Sequence, residues 1–255
     1  MAAAALRTVL QGRTLHNATG TADRLTELSG STIVGVEARG KHLIIHFSND
    51  LAIHSHMGMT GAWHTYGSKQ PWRKPAAQAV AALSTDAGCA VCFTPKQFRI
   101  VSERALLRDP VLQKLGPDLL GPPIDDAVFV ERFRRQRSTE IGRAVMNQTV
   151  VAGIGNVYKS ELLFLEQIHP RTSVETLTDQ QLLQLRDRIV RLMRRNLDGR
   201  RRTTRFAGDR FRTWVYRRKG EGCLKCGATI EMIRQGDLTR STYFCPTCQP
   251  PAASS

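Results

Sequence analysis

Two cysteine pairs near the C-terminus limit this chain more than any other feature. Cys223-Leu224-Lys225-Cys226 and Cys245-Pro246-Thr247-Cys248 are separated by residues 227–244. A C-x2-C pair puts two thiolates on one side of a metal, and two such knuckles complete the tetrahedron of a structural zinc. One structural Zn2+ held by Cys223, Cys226, Cys245 and Cys248 is therefore expected. Between the pairs, Gly236-Asp237-Leu238-Thr239-Arg240 has hydrophobic residues on either side, which predicts a β-hairpin that the metal keeps rigid. Arg240 rides on that finger, as a ligand-facing cation or as ordinary surface.

Composition bears on what such a finger meets. The 255 residues carry a net charge of +15, and arginine well outnumbers lysine. That balance points to a polyanionic partner, most often nucleic acid, and arginine suits bidentate phosphate contacts. The other two cysteines, Cys89 and Cys92, sit in a strand-like run, Gly88–Phe93. A redox pair opens a helix instead, so these read as buried thiols. Thiols kept for zinc imply a reducing compartment. No apolar run approaches a membrane span, and the Ala-rich start is broken by Arg7 and Gln11 too early for a secretory core. A cytoplasmic, nucleoid-associated monomer with no membrane partner is the expectation.

Periodicity divides the chain. The Ala-rich start predicts a helix ending before Gly12-Arg13. From about Ser31 to Val101, short alternating runs are punctuated by turns such as Ala38-Arg39-Gly40-Lys41 and Ser48-Asn49-Asp50, the mark of an antiparallel sandwich or barrel. Residues 66–80 are polar and aperiodic, a loop. Gly116-Pro117 and Gly121-Pro122-Pro123 punctuate the middle. Beyond them come a basic helix over 126–136 and a capping box at Thr178–Gln181. That box opens a helix with Leu182, Leu185, Ile189 and Leu192 on one face. The run 199–205 is rich in arginine, a phosphate contact or plain solvated surface. The fold class is α+β: an N-terminal antiparallel β-sandwich (1–115), a linker (116–125), a helical domain (126–210) and a zinc-finger hairpin (211–255).

Residues 146–164 (MNQTVVAGIGNVYKSELLF) place Gly153-Ile154-Gly155-Asn156 before a helix starting near Val157. Asn156 suits an N-cap, and a helix N-terminus offers unpaired N–H groups to an anion. Spacing alone leaves open whether this holds a phosphate or only packs. The segment closely resembles the helix–two-turn–helix motif of the formamidopyrimidine-DNA glycosylase/endonuclease VIII family. Leu238–Gln249 resembles that family's zinc finger, Arg39-Gly40-Lys41-His42-Leu43 its turn with a reactive lysine, and His56–Trp63 the turn carrying its intercalating methionine.

The resemblance spans nearly the whole chain. It implies a base-excision enzyme that flips an oxidised base out of damaged double-stranded DNA, removes it, and cuts at the abasic site. It assigns Lys41 a catalytic part, contacting the DNA backbone and assisting base removal. Met59 becomes the wedge that fills the vacated stack, and Lys96 and Phe98 lie on the loop beside it, facing the opposite strand. Asn156 and Arg240 become DNA contacts. Lys96-Gln97 replaces two arginines of the formamidopyrimidine branch; with Ser48-Asn49-Asp50, this leans towards the endonuclease VIII branch and oxidised pyrimidines. Asn147 stands where the family usually has Asp, and an effect on the adjoining helix is expected.

In the family, an N-terminal proline attacks the sugar and the following glutamate is acid and base. This chain begins Met1-Ala2-Ala3-Ala4, and the resemblance implies that roughly seven to ten residues of the family's start are missing. Three explanations stand beside one another: a start upstream, a different nucleophile, or a damaged-DNA-binding relative without turnover. An RNA-binding zinc ribbon fits the charge but not the helical motif.

Overall fold

The computed structural model describes residues 2–58, 60–197, 202–206 and 208–251. The chain divides into two compact units, Met1–Lys114 and Leu115–Ser255.

The first unit starts with α1 (Ala2–Leu10), followed by β1 (Asn17–Thr19), β2 (Ile33–Arg39), β3 (His42–Phe47), β4 (Leu51–His56), β5 (Ala62–Tyr66), β6 (Ala79–Thr85), β7 (Gly88–Phe93) and β8 (Gln97–Ser102). They form two four-stranded sheets of order β2-β3-β4-β8 and β1-β6-β7-β5, antiparallel throughout. The period-2 pattern explains the sandwich. Leu43, Ile45 and Phe47 of β3 point inward to meet Trp63, Leu83, Ala90 and Cys92 of the other sheet, and Leu6 and Leu10 of α1 close the core.

Alternate residues of the second sheet, Tyr66, Ala82, Val91 and Phe93, form an outer cluster. The polar loop after β5 covers it: Trp72 stacks on Tyr66 at 6.4 Å and meets Phe93 edge-on at 6.0 Å. Cys89 and Cys92 sit on β7 three residues apart, so they face opposite sides and cannot form a redox pair. Burial pushes the Cys92 thiol up to about 12. Two short helices, α2 (Glu103–Leu107) and α3 (Pro110–Gln113), end the unit.

The second unit holds α4 (Asp126–Arg134), α5 (Ile141–Ala144), α6 (Asn156–Leu165) and α7 (Asp179–Arg194), then β9 (Glu231–Gln235) and β10 (Arg240–Phe244). The capping box at Thr178 and Gln181 opens α7, and its Leu182, Leu185, Ile189 and Leu192 pack with Phe129, Phe133 and Leu162. Residues 116–125 pack on this unit: Leu119 enters its core, and the Gly116 amide bonds the Gln148 carbonyl at 2.8 Å. Every residue of α6 from Tyr158 to Phe164 is buried, so this helix is enclosed on all sides. Phe164 belongs to a second core, with Val215, Cys223, Ile230 and Cys245. Of the basic run, residues 199–201 lie outside the described residues; Arg202 lies over Tyr158 at 5.2 Å and Arg205 over Trp214 at 4.1 Å. Among the described residues no helix is long and apolar enough to cross a membrane.

Candidate functional site

The four cysteines of the two knuckles come together. Their sulfurs all lie within 4.8 Å of one another, with Cys223–Cys248 at 3.9 Å and Cys226 at 3.5 Å from both Cys245 and Cys248. A tetrahedral ion with zinc–sulfur bonds of about 2.3 Å separates its ligands by about 3.8 Å. The thiol set therefore fits a structural zinc, and all four positions are filled by protein, which leaves no open coordination site for catalysis.

The finger above the knuckles is fixed to the helices by buried polar contacts. Gln235 of β9 donates to Glu140 Oε2 at 2.7 Å and to the Pro170 carbonyl at 3.1 Å, and accepts from the Thr242 hydroxyl at 2.7 Å. Gly142 makes room for this amide, since a Cβ there would run into the Gln235 side chain. Ser160 of α6 accepts the Tyr243 amide at 3.1 Å. Glu161, wholly buried, accepts the amides of Trp214, Val215 and Tyr216 at 2.7, 2.9 and 2.8 Å, and the Thr204 hydroxyl as well. Gln249 accepts the Cys245 amide at 3.0 Å and donates to the Ile168 carbonyl at 2.7 Å.

The turn before α6 is stapled by Gln148, which donates to the Met146 and Ile154 carbonyls at 3.0 and 3.1 Å and accepts the Gly153 amide at 3.1 Å. Gly153 has φ 100°, a conformation that excludes most side chains. Asn147 closes a local turn, accepting from the Thr149 amide at 3.0 Å and its hydroxyl at 2.8 Å.

The helix starts one residue earlier than the sequence suggests. Gly155, in an extended backbone, is the N-cap, and Asn156 is the first helical residue with no capping bond. Freed from capping, the Asn156 carboxamide has its Oδ1 unpartnered. The amides of Asn156, Val157 and Tyr158 find no backbone or side-chain acceptor among the described residues, as expected of a first helical turn. Lys159, on the same helix face, feels the charge of Arg240 at the start of β10. Both line a cleft of about 460 Å³ with Gln136, Arg143 and Gln148. Asn156 itself is not among the residues that line this cleft.

In the first unit, Gly40 and Lys41 form the two-residue turn between β2 and β3, closed by the Arg39–His42 pair. Met59 lies outside the described residues. The turn around it abuts the one before β8: a Cβ on Gly58 would come within 2.9 Å of Lys96 Cβ, and the Lys96 amide bonds the His56 carbonyl at 2.9 Å. Burial, then the charges of Lys96 and Lys41, lower the His56 pKa, so Lys41, His56 and Lys96 share one end of the sandwich. Lys96 is exposed. Phe98 is half-buried and leans on the core, its ring 6.3 Å from Trp63.

Sequence reasoning missed a polar chain on the outer face of β3, β4 and β8. His42 Nδ1 lies 2.8 Å from His54 Nε2, Arg99 donates to His54 Nδ1 at 2.8 Å, and Arg99 also pairs with Asp109. Burial, followed by the charges of His56 and His54, pushes His42 down to about 4. The H-x-H spacing at His54 and His56 puts both on one strand face, a signal present in the sequence; the Arg99–Asp109 link needs the turn after β8.

Three family models match the chain along its length: the formamidopyrimidine-DNA glycosylase N-terminal domain over residues 3–100, its H2TH domain over 115–207, and a zinc finger found in FPG and IleRS over 220–251. A probable endonuclease 8 2 of Streptomyces coelicolor is 36% identical over 254 residues, covering 97% of this chain and 91% of that protein. The chain belongs to the formamidopyrimidine-DNA glycosylase/endonuclease 8 family. Another relative, the DNA-(apurinic or apyrimidinic site) lyase Nei2 of Mycolicibacterium smegmatis, is also 36% identical and matches 97% of this glycosylase-family chain and 95% of its own. In structure, the chain is similar to the Lactococcus lactis FPG (MutM) solved with DNA containing FAPY-dG. The TM-score is 0.80 and the identity 26%, over 98% of this chain and 97% of that one.

Proposed function

We propose that this chain is a DNA base-excision enzyme that removes oxidised bases, pyrimidines preferred, and cleaves the resulting abasic site. One observation carries this reading: Arg240 of the hairpin and Lys159, which shares a helix face with Asn156 in the open first turn of α6, line one cleft of the second unit. An open helix N-terminus and a guanidinium both suit the phosphates of a polyanion. Membership of a glycosylase family supplies the reaction class, and relatives named for glycosylase or lyase activity favour turnover over mere damage binding.

In this reading Lys41 meets the DNA backbone and assists base removal, Met59 fills the space of the flipped nucleotide, and Lys96 and Phe98 face the opposite strand. One zinc ion, held by Cys223, Cys226, Cys245 and Cys248, sets the finger's shape and takes no part in the reaction. The enzyme acts as a monomer on nucleoid DNA in the cytoplasm. Base loss exposes a sugar aldehyde; an amine of the protein condenses with it, and the iminium serves as the electron sink for elimination.

Borohydride trapping on an abasic duplex tests the lyase step. A covalent protein–DNA adduct is expected, and its absence would contradict the reading. The same assay tests Lys41. Lys41→Ala is expected to slow base release on a lesion duplex more than cleavage of a preformed abasic site; equal rates on both would remove Lys41 from the mechanism.

A further inference from the structure

α6 carries three consecutive polar residues inside its enclosed stretch, Lys159, Ser160 and Glu161, all at most 1% exposed. The folded chain accounts for two of them. Ser160 takes the Tyr243 amide, and Glu161 takes three amides and a hydroxyl. Lys159 differs. Among the described residues the charged group acting on it is Arg240, another cation. The nearby acids are engaged by other groups: Glu140 accepts from Gln235 at 2.7 Å, and Asp237, which also lines the cleft, is 97% exposed and faces Arg143 at 3.5 Å.

A lysine is almost never fully buried without a counter-charge, because desolvating an ammonium costs several kcal/mol. Burial and Arg240 together lower its pKa to about 8, so the ammonium remains charged at neutral pH. The free protein therefore holds two neighbouring cations, one of them desolvated, at the wall of an open cleft. An anion entering that cleft relieves both charges at once. Arg143 and Gln136 line the same space and offer further donors.

We infer that Lys159 is a phosphate ligand of this enzyme, closing with Arg240 on a single DNA phosphodiester in the cleft between α5, α6 and the finger hairpin. The inference rests on the DNA-repair reading above. The two side chains differ in chemistry. Arg240 presents a planar fork, and Lys159 a point charge fixed by the helix that encloses it. The buried cation raises affinity for a phosphate that reaches the cleft floor and contributes little to loose surface contacts.

The test is a fluorescence titration of the full chain with a duplex bearing a non-cleavable abasic analogue, at several salt concentrations and pH 7. Each phosphate contact adds about 0.9 to the slope of log K against log salt. Lys159→Met should lower that slope by about 0.9 and weaken binding roughly tenfold at moderate salt. Lys159→Arg should keep the wild-type slope. The melting temperature of Lys159→Met should equal or exceed that of the wild type, since a desolvated charge has been removed. If Lys159→Met yields no cooperative melt, Lys159→Gln is read in the same titration. A wild-type slope in the folded neutral variant would overturn the inference while leaving the DNA reading intact. A lowered slope accompanied by a lowered melting temperature would also overturn it, marking a structural role. A wild-type chain that binds no DNA would bring down the DNA reading itself.

Discussion

Glu161 accepts hydrogen bonds from residues 204 and 214–216 while sitting wholly inside α6. Glu161→Ala strands one buried and two part-buried amides, each costing up to about 1–3 kcal/mol when unpaired. A loss of more than about 3 kcal/mol in urea unfolding is expected, and a loss below about 1 kcal/mol would show that the segment finds other partners. His42 makes a second prediction. Its folded pKa of about 4 lies below the ordinary 6.5, so the unfolded chain takes up a proton before the folded one does. Its stabilising effect is full above pH 6.5 and is lost as pH falls towards 4, a change of about 2–3 kcal/mol. The melting temperature of the wild type should therefore fall more steeply between pH 6.5 and 4 than that of His42→Asn. Parallel profiles would contradict a buried neutral imidazole.

At the scale of elements, the finger hairpin is joined to α6 by Ser160 and the Phe164–Cys223–Cys245 cluster, and to the start of α5 by Gln235. Removing zinc, or Cys245→Ser, should loosen the hairpin and cost DNA binding more than overall folding. Far-ultraviolet circular dichroism and duplex titration on the same sample check this, and full binding after verified metal loss would show the finger to be dispensable. Much of this was legible in the sequence because it is written in local spacing. The C-x2-C pairs, the Thr178 capping box, the stripe of α7 and the alternation of β3 each depend on residues a few positions apart. What was not legible depends on packing between distant segments. Tyr158-Lys159-Ser160-Glu161 reads as an ordinary polar helix turn, and only distant segments packed against it, among them residues 202–216 and the hairpin, bury all four. His42 and His54 meet through the β3–β4 register, in which His42 pairs with His56 and Ile44 with His54. The helix starts at Asn156 and not after it because extended Gly155 serves as the cap without a side chain.

Across the whole molecule, a net charge of +15 on 255 residues suits a polyanion, and under the proposed function cations such as Arg240 turn that attraction into phosphate contacts. Affinity for duplex should fall steeply with salt as counterions are released, by roughly tenfold or more for every few phosphates neutralised between 50 and 200 mM. An affinity unchanged over that range would contradict phosphate binding. Turnover on damaged DNA is read from the lengths of the strands it leaves. The chain is incubated with end-labelled duplexes that each carry a single oxidised pyrimidine, an 8-oxoguanine, an abasic site or no lesion, and the products are resolved by length. The account predicts strand scission at the oxidised pyrimidine and at the abasic site, less at 8-oxoguanine, and none in the undamaged duplex. Tight binding to the lesion duplexes with every strand left intact would contradict it.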